Sequence, residues 1–354
     1  MSILKLLSPS EQVAAHLREE LLRGRWMGTM PGVPSLAADL GVDRKTVDAA
    51  LRQLDEEGIL EPQGPGRRRK IVGKTGINPP SLRVAFLFNE RKDMNTSYLV
   101  DLKHELEQAG HRVTIAPQTL IDLRMDVSRI SRLVEKTSAD AWVVLAASRA
   151  VLEWFADYPV PAFALFGRRR GLEMAGTGPD KPPAFVAVAE RLVELGHRRI
   201  ALMARSARRL PEPGATEQAF LDALESKGVT TGPFNLPDWP ETIDGFYECL
   251  ASLFAKTPPT ALVVDEAPFF VAAQQFLAER GLKVPADVSL ICTDADSAFA
   301  WCKPAISHIC WDSQPVVRRV VNWAKNVKRG KVDVRQSQTK AEFVEGGTIG
   351  RVEG

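Results

Sequence analysis

The chain has 354 residues, 46 Lys and Arg against 44 Asp and Glu, and a formal net charge of +2, with 45% hydrophobic and 25% charged residues. That length is more than one hydrophobic core spans and the fractions are those of ordinary globular chains, so a single small domain is excluded and two or three domains are expected. The four cysteines, Cys249, Cys292, Cys302 and Cys310, show no CxxC spacing and read as buried reduced thiols. No charged-then-apolar leader and no long apolar run is visible, so a cytoplasmic protein away from membranes is expected.

In chain order, the first segment is an amphipathic helix, SEQVAAHLREELLRGRW from Ser10 to Trp26. Within residues 31–72, Leu36, Ala37, Leu40, Val42, Val47, Ala50, Leu51, Leu54, Ile59 and Leu60 recur at helical spacing and predict one small core. Gly41 marks a tight turn, and Asp43 offers an N-cap to a helix whose leading end is Arg44, Lys45 and Thr46. Gly58 stops that helix. Ile59 and Leu60, a turn at Gly64, Pro65 and Gly66, and the run Arg67, Arg68, Arg69, Lys70, Ile71 and Val72 then read as a two-strand basic wing. Two short helices, a recognition helix and a wing, in that order, are the parts of a DNA reader.

LAADLGVDRKTVDAALRQLDEEGIL, with the helix upstream of it, resembles the winged helix-turn-helix domain of the GntR family of bacterial transcription regulators. The resemblance implies that Ser35, Arg44, Lys45, Thr46 and Arg52 touch DNA, and that Arg67, Arg68, Arg69 and Lys70 reach the adjacent backbone or minor groove. Three positions depart from the family pattern. Gly32 stands where a serine cap is frequent, Pro34 where the second helix usually has an arginine, and Asp48 where a second recognition-helix arginine is common. Residues 1–75 hold twelve Lys and Arg against ten Asp and Glu, which is the whole positive excess of the chain. One copy with so small an excess binds phosphates weakly, so a homodimer on operator DNA is expected.

GKTGINPPS, from Gly73 to Ser81, is a linker broken by Pro79 and Pro80. Beyond it, apolar runs at Val84, Val113, Ala141, Ala162, Ile200, Ala261 and Val288 alternate with amphipathic stretches at Leu99, Ile130, Phe185, Ala215 and Val271. Strand and helix in alternation predict an α/β region with parallel sheets. The domains are therefore drawn as 1–72, a linker at 73–81, and 82–354.

RLVELGHRRIALMA at Arg191 and FLAERGLKVPADVSLICTDAD at Phe276 resemble the effector-binding domain of the LacI/GalR family, which is itself similar to periplasmic binding proteins. The resemblance implies two lobes joined by three crossovers, dimerisation along the lobes, a small sugar-like effector in the cleft between them, and a last strand drawn from EFVEGGTIGRV. Asp294, at the end of VSLICTD, matches the effector-contacting aspartate; a carboxylate at a strand end can accept two sugar hydroxyls. By position, Asp265, Glu266, Asn89 and Asp180 also fall in the site. The expected arginine falls at Thr216, with Arg205, Arg208 or Arg209 as substitutes from the adjacent loop; the expected aromatic pair falls at Met94 and Asn95, and Trp301 can stack on a sugar face. The run Arg168, Arg169 and Arg170 reads as a solvated or dimer-facing loop, with a phosphate-bearing effector as the alternative.

Catalysis finds no support. His16, His104, His111, His197 and His308 form no HExxH-type pair, no Gly-rich phosphate loop follows a strand, and no G-x-S-x-G turn is present. No enzyme activity, cofactor or metal is expected. The reading is a ligand-responsive regulator, a repressor that senses a sugar or sugar-like effector. The alternative is a DNA-binding assembly or architectural protein whose sensor has lost its ligand, and the departures at Thr216, Met94 and Asn95 keep it open.

Overall fold

The computed structural model describes residues 8–22, 25–26, 28–64, 67–72 and 81–352. The expected linker, apart from Ser81, and Pro65 and Gly66 of the wing turn lie outside the described residues. In chain order the elements are α1 (Pro9–Leu22), α2 (Val33–Leu40), α3 (Arg44–Glu56), β1 (Leu60–Glu61), β2 (Lys70–Ile71), β3 (Arg83–Leu87), α4 (Ser97–Gln108), β4 (Arg112–Ile115), α5 (Val127–Lys136), β5 (Ala141–Leu145), α6 (Arg149–Asp157), β6 (Ala162–Leu165), β7 (Ala175–Thr177) and β8 (Pro179–Asp180). They continue with α7 (Pro182–Glu194), β9 (Ile200–Met203), α8 (Ser206–Arg209), α9 (Ala215–Ser226), α10 (Ile243–Lys256), β10 (Ala261–Val264), α11 (Ala267–Glu279), β11 (Ser289–Cys292), β12 (Ser307–Trp311), α12 (Gln314–Lys328) and β13 (Thr339–Val344). Short 3-10 turns lie at Arg91–Asn95 and Ser297–Trp301.

At the N-terminus Leu36, Ala37, Val47, Ala50, Leu51, Leu54 and Leu60 of the predicted stripe are buried with Val13, Ala14 and Leu17 of α1, while Leu40, Val42 and Ile59 are only partly buried against them. Asp43 caps α3, accepting from the Thr46 amide at 2.9 Å, which meets one of the donors a helix start leaves open. Gly41, at φ +64°, ends α2 in the left-handed region. Gly32 caps α2 without a side-chain bond, and Pro34 fits the first turn, where no amide hydrogen is needed. β1 and β2 pair antiparallel, Leu60 opposite Ile71 and Glu61 opposite Lys70.

The chain divides into two compact units. The first comprises Met1–Leu145, Trp154–Phe163 and Val321–Val334, the second Ala146–Glu153, Ala164–Val320 and Arg335–Gly354. β3 to β7 form a five-stranded sheet in the order β4-β3-β5-β6-β7, with β3 parallel to β4 and β5. In the second unit the sheet order is β8-β13-β12-β11-β10-β9; β9, β10, β11 and β12 run parallel, and β13 is antiparallel to β12.

Alternation along buried strands explains why they read as continuous apolar runs. Ile200, Leu202, Ala261, Val263 and Ile291 join Phe185, Val188, Leu192, Phe220 and Leu224 of α7 and α9. Ala201, Met203, Leu262, Val264, Leu290 and Cys292 join Phe246, Leu250, Phe270 and Leu277 of α10 and α11. Both faces of the sheet are covered, the condition that keeps a parallel sheet stable.

Several elements differ from expectation. α6, α10, α12 and β12 had no counterpart among the runs picked out by periodicity. The tail enters the sheet earlier than EFVEGGTIGRV suggests: β13 starts at Thr339, and after Val344 the chain holds on by single bonds such as Leu290 N to Thr348 O at 2.8 Å. Of the cysteines only Cys292 is buried; the other three are half-buried, and all four are free. His197 is a structural tie, its ring meeting Thr260 Oγ1 at 2.9 Å and Gly350 O at 3.0 Å.

Candidate DNA interface and candidate effector site

On the N-terminal domain, Ser35, Arg44, Lys45, Arg67, Arg68 and Lys70 are exposed. Arg44 and Lys45 form the first turn of α3, where the helix opens to solvent. Thr46 is half-buried and its hydroxyl donates to Asp43, holding the Asp43 carboxyl below the usual range. Two of the expected phosphate contacts have partners inside the domain. Arg52 pairs with Asp48 at 2.6 Å, one turn back on the same helix. Arg69 turns inward with its side chain 19% exposed, giving Nε to Asp55 at 2.8 Å and Nη2 to Asp48 at 3.3 Å. The wing is thereby fastened to α3, and Met30 N donates to Arg69 O at 2.9 Å from the other side. Asp48 was visible in the sequence as a departure; its two guanidinium partners were not.

In the second unit, charged side chains gather just past the C-terminal ends of β10 and β11. Asp265 follows β10 and is 1% exposed; Thr293 and Asp294 follow β11. Arg208, on the one-turn helix α8 after β9, pairs with Asp265 at 3.0 Å and approaches Asp294 at 3.9 Å. Thr293 Oγ1 donates to Asp265 at 2.6 Å. Lys181, at the mouth of α7, reaches Asp294 and also donates to Thr293 O at 3.2 Å. Burial is the largest influence on Arg208 and Asp265 and opposes both charges, but their neighbours together outweigh it: Asp265, Asp294, Glu217 and Glu266 raise the guanidinium pKa, and Arg208, Lys181 and the bonds from Thr293 and the Arg205 amide lower the carboxyl pKa. Glu217, 3% exposed in the first turn of α9, behaves oppositely, since burial raises its pKa and Arg208 offsets only part of that.

Beside this cluster Arg205 bridges Glu241 at 2.8 Å and Glu266 at 3.3 Å. Glu266 adopts φ +57° and ψ 150°, a conformation that side chains other than glycine rarely take, as the N-cap of α11.

The structure thus brings Arg208, Asp265 and Asp294 together, with Glu266 adjoining through Arg205. It does not bring Arg209 there. The next residue along a short helix points about 100° away, and Arg209 is buried against Trp239, donating to Ala204 O at 3.1 Å and to Trp239 O while pairing with Asp238. Asp180 lies in β8 and accepts from Gln338 at 3.4 Å. Trp301, 90% exposed, ends a 3-10 turn. Asn89, in the first unit, is half-buried beside Glu90, donating to it at 3.4 Å. Lys181, Thr293 and Glu217 escaped sequence reasoning, since lone residues outside any spacing pattern give no local signal; Arg205, one of the three loop arginines expected to substitute, instead pairs with Glu241 and Glu266.

In the basic run before Gly171, Arg170 is exposed, but Arg168 and Arg169 are half-buried and have backbone partners. Arg168 Nη2 donates to the carbonyls of Ala207, Arg208, Leu210 and Glu212 at 3.1–3.4 Å. Arg169 is half-buried and donates to Ser337 O at 3.4 Å. Both arginines thus serve backbone carbonyls, and Arg168 fixes the loop that presents Arg208.

Chemically, two carboxylates, a guanidinium, an ammonium and a hydroxyl at parallel strand ends supply donors and acceptors side by side. That arrangement suits recognition of a small polar molecule. Among the described residues no helix is long and apolar enough to cross a membrane.

Residues 9–66 match the family model of bacterial regulatory proteins of the gntR family, and residues 189–349 match the model of the periplasmic binding protein-like domain. No curated protein matches the chain. Solved structures that resemble it include the Escherichia coli transcriptional repressor ascG, at 17% identity and TM-score 0.59 over 75% of this chain and 98% of that one. A LacI family transcriptional regulator from Mycobacterium smegmatis matches at 18% identity and TM-score 0.61 over 76% and 100%. One from Enterococcus faecium with bound ribose matches at 15% identity and TM-score 0.59 over 77% and 100%. At these identities the likeness to the solved structures is one of fold. The chain thus joins a segment that matches the gntR family model to one that matches the periplasmic binding protein-like domain, in a fold shared with LacI family regulators.

Proposed function

We propose that the protein is a ligand-responsive transcription repressor, cytoplasmic and not an enzyme, that binds operator DNA as a homodimer and senses a small sugar or sugar-like effector at the strand-end cluster of its second unit. The observation that carries this reading is the meeting of Asp265, Asp294, Arg208 and Lys181 beyond β10 and β11, on a chain that also exposes Arg44 and Lys45 at the tip of a recognition helix. In this reading Arg44 and Lys45 contact base edges or phosphates, and Arg67, Arg68 and Lys70 hold the flanking backbone. Asp294 and Asp265 accept effector hydroxyls, and Lys181 and Arg208 donate to effector oxygens. Effector binding then biases the dimer between a state that fits both half-sites and one that does not. Emptying a nearly full operator in this way requires about 5.5 kcal/mol of differential affinity.

Support for the sugar class comes from the donor and acceptor set and from the ribose named with the Enterococcus faecium structure. The test is a thermal-shift screen of pentoses, hexoses, uronic acids and sugar phosphates. A specific ligand at a hundred times its Kd adds about 2.7 kcal/mol of stability, and Asp294→Asn should abolish that gain while leaving DNA affinity unchanged. A screen with no stabilising compound would favour an assembly protein with an inert sensor.

A further inference from the structure

Helical geometry turns Val47, Ala50, Leu51 and Leu54 of α3 into the core and puts Arg44, Lys45, Asp48, Arg52 and Asp55 along the adjoining polar side. Two acids therefore share the face that would meet a duplex. The Asp48 carboxylate holds Arg52 at 2.6 Å and the Nη2 of the wing's Arg69 at 3.3 Å, and Asp55 holds the neighbouring Nε of Arg69 at 2.8 Å. Burial opposes the Asp48 charge, but the two guanidinium groups more than compensate and keep its carboxyl pKa below the usual range. Arg44, Lys45, Arg52 and Arg69 bring four positive charges to this surface, and the acids cancel two. Arg52 remains exposed, with 71% of its side chain open to solvent, so its pairing with Asp48 and not burial limits what else it can bind.

We propose that Asp48 is a specificity-determining residue of the DNA reader: it withholds Arg52 from phosphate oxygens, so that binding to arbitrary sequence stays weak and discrimination rests on Arg44, Lys45 and the wing. The inference rests on the reading of α3 as the DNA-facing helix. Its physical basis is counter-ion release, in which each phosphate neutralised strengthens sequence-independent binding and steepens its salt dependence. Arg69 keeps its Asp55 partner when Asp48 is neutralised, so the released cation is Arg52.

The experiment measures anisotropy of full-length wild type, Asp48→Asn and Asp48→Ala on two short duplexes, one of unrelated sequence and one selected by the wild type from a random library. On the unrelated duplex both variants should bind more tightly, with the slope of log affinity against log salt steeper by about 0.9 for each protomer bound; a fourfold salt increase then costs about 3.5-fold more affinity than in wild type for one protomer and about 12-fold for two. The ratio between the duplexes should narrow, and Arg52→Ala added to Asp48→Asn should return the slope to the wild-type value. An unchanged slope in both variants overturns the proposal, as does a steeper slope that survives removal of Arg52. An Asp48 that merely stabilises the domain would lower Tm and leave the slope alone. Failure of the underlying reading shows separately: Arg44→Ala and Lys45→Ala would then bind both duplexes as wild type does.

Discussion

His111 sits between α4 and β4, 4% exposed, with neither ring nitrogen hydrogen-bonded. Burial, followed by the nearby positive charges of Lys328 and Lys325, depresses its pKa from 6.5 to about 4. A depressed histidine stays neutral in the fold and takes up its proton on unfolding. Its contribution is therefore fully present above pH 6.5 and lost as the pH falls from there toward 4. Linkage sets the loss at about 1.4 kcal/mol per pH unit across most of that window, about 2 kcal/mol between roughly pH 7.5 and 5 and about 3 in all. Carboxylates also titrate on this range, so the informative quantity is the difference between wild type and His111→Leu in urea denaturation. That difference should shift in favour of the variant by about 2 kcal/mol between roughly pH 7.5 and 5. Parallel stability curves for the two proteins over that range would refute the reasoning.

Three further outcomes follow from the second unit. Arg208→Leu leaves the Asp265 carboxylate buried without its guanidinium, so urea denaturation should show a loss of about 3–5 kcal/mol, and Asp265→Asn added to it should recover part of that loss. Arg209→Met removes donors from Ala204 O and Trp239 O and the partner of Asp238, which should cost about 2–4 kcal/mol in the same assay while effector affinity of the folded protein is unchanged. Gly167→Ala should cost more than about 1 kcal/mol, because at φ +74° an added Cβ would stand 2.6 Å from Ala147 O and 2.8 Å from Ala147 N.

The N-terminal domain was legible because its determinants are local. Asp43 lies three residues before the amide it caps, Gly41 and Gly58 mark helix ends, and the core residues repeat at helical spacing. The parallel strands were legible for a similar reason, as runs buried on both faces. α12 escaped because β12, the strand before it, was itself not picked out; α10 was missed although the legible run at Ala261 follows it. At the strand ends, Asp265 and Asp294 could be placed from their position after β10 and β11. Lys181 could not, since it meets Asp294 across 113 residues of sequence. Arg208 and Arg209 looked interchangeable, yet adjacent positions on α8 face different ways, one to the carboxylates and one to Trp239. Arg168 likewise looked like surface charge until four carbonyls were found around its guanidinium. Tertiary partners decide the role of an arginine, and spacing does not reveal them.

The most direct test of the account is fluorescence anisotropy of the full-length protein on a library-selected duplex at fixed salt, titrated with neutral sugars, uronic acids and sugar phosphates, beside Asp294→Asn and Lys181→Ala. The account predicts tight binding that one compound class alters by tenfold or more, about 1.4 kcal/mol of coupling, with the response lost in both variants and their basal affinity kept. Tight binding that no compound changes, or a response that survives both substitutions, would contradict it.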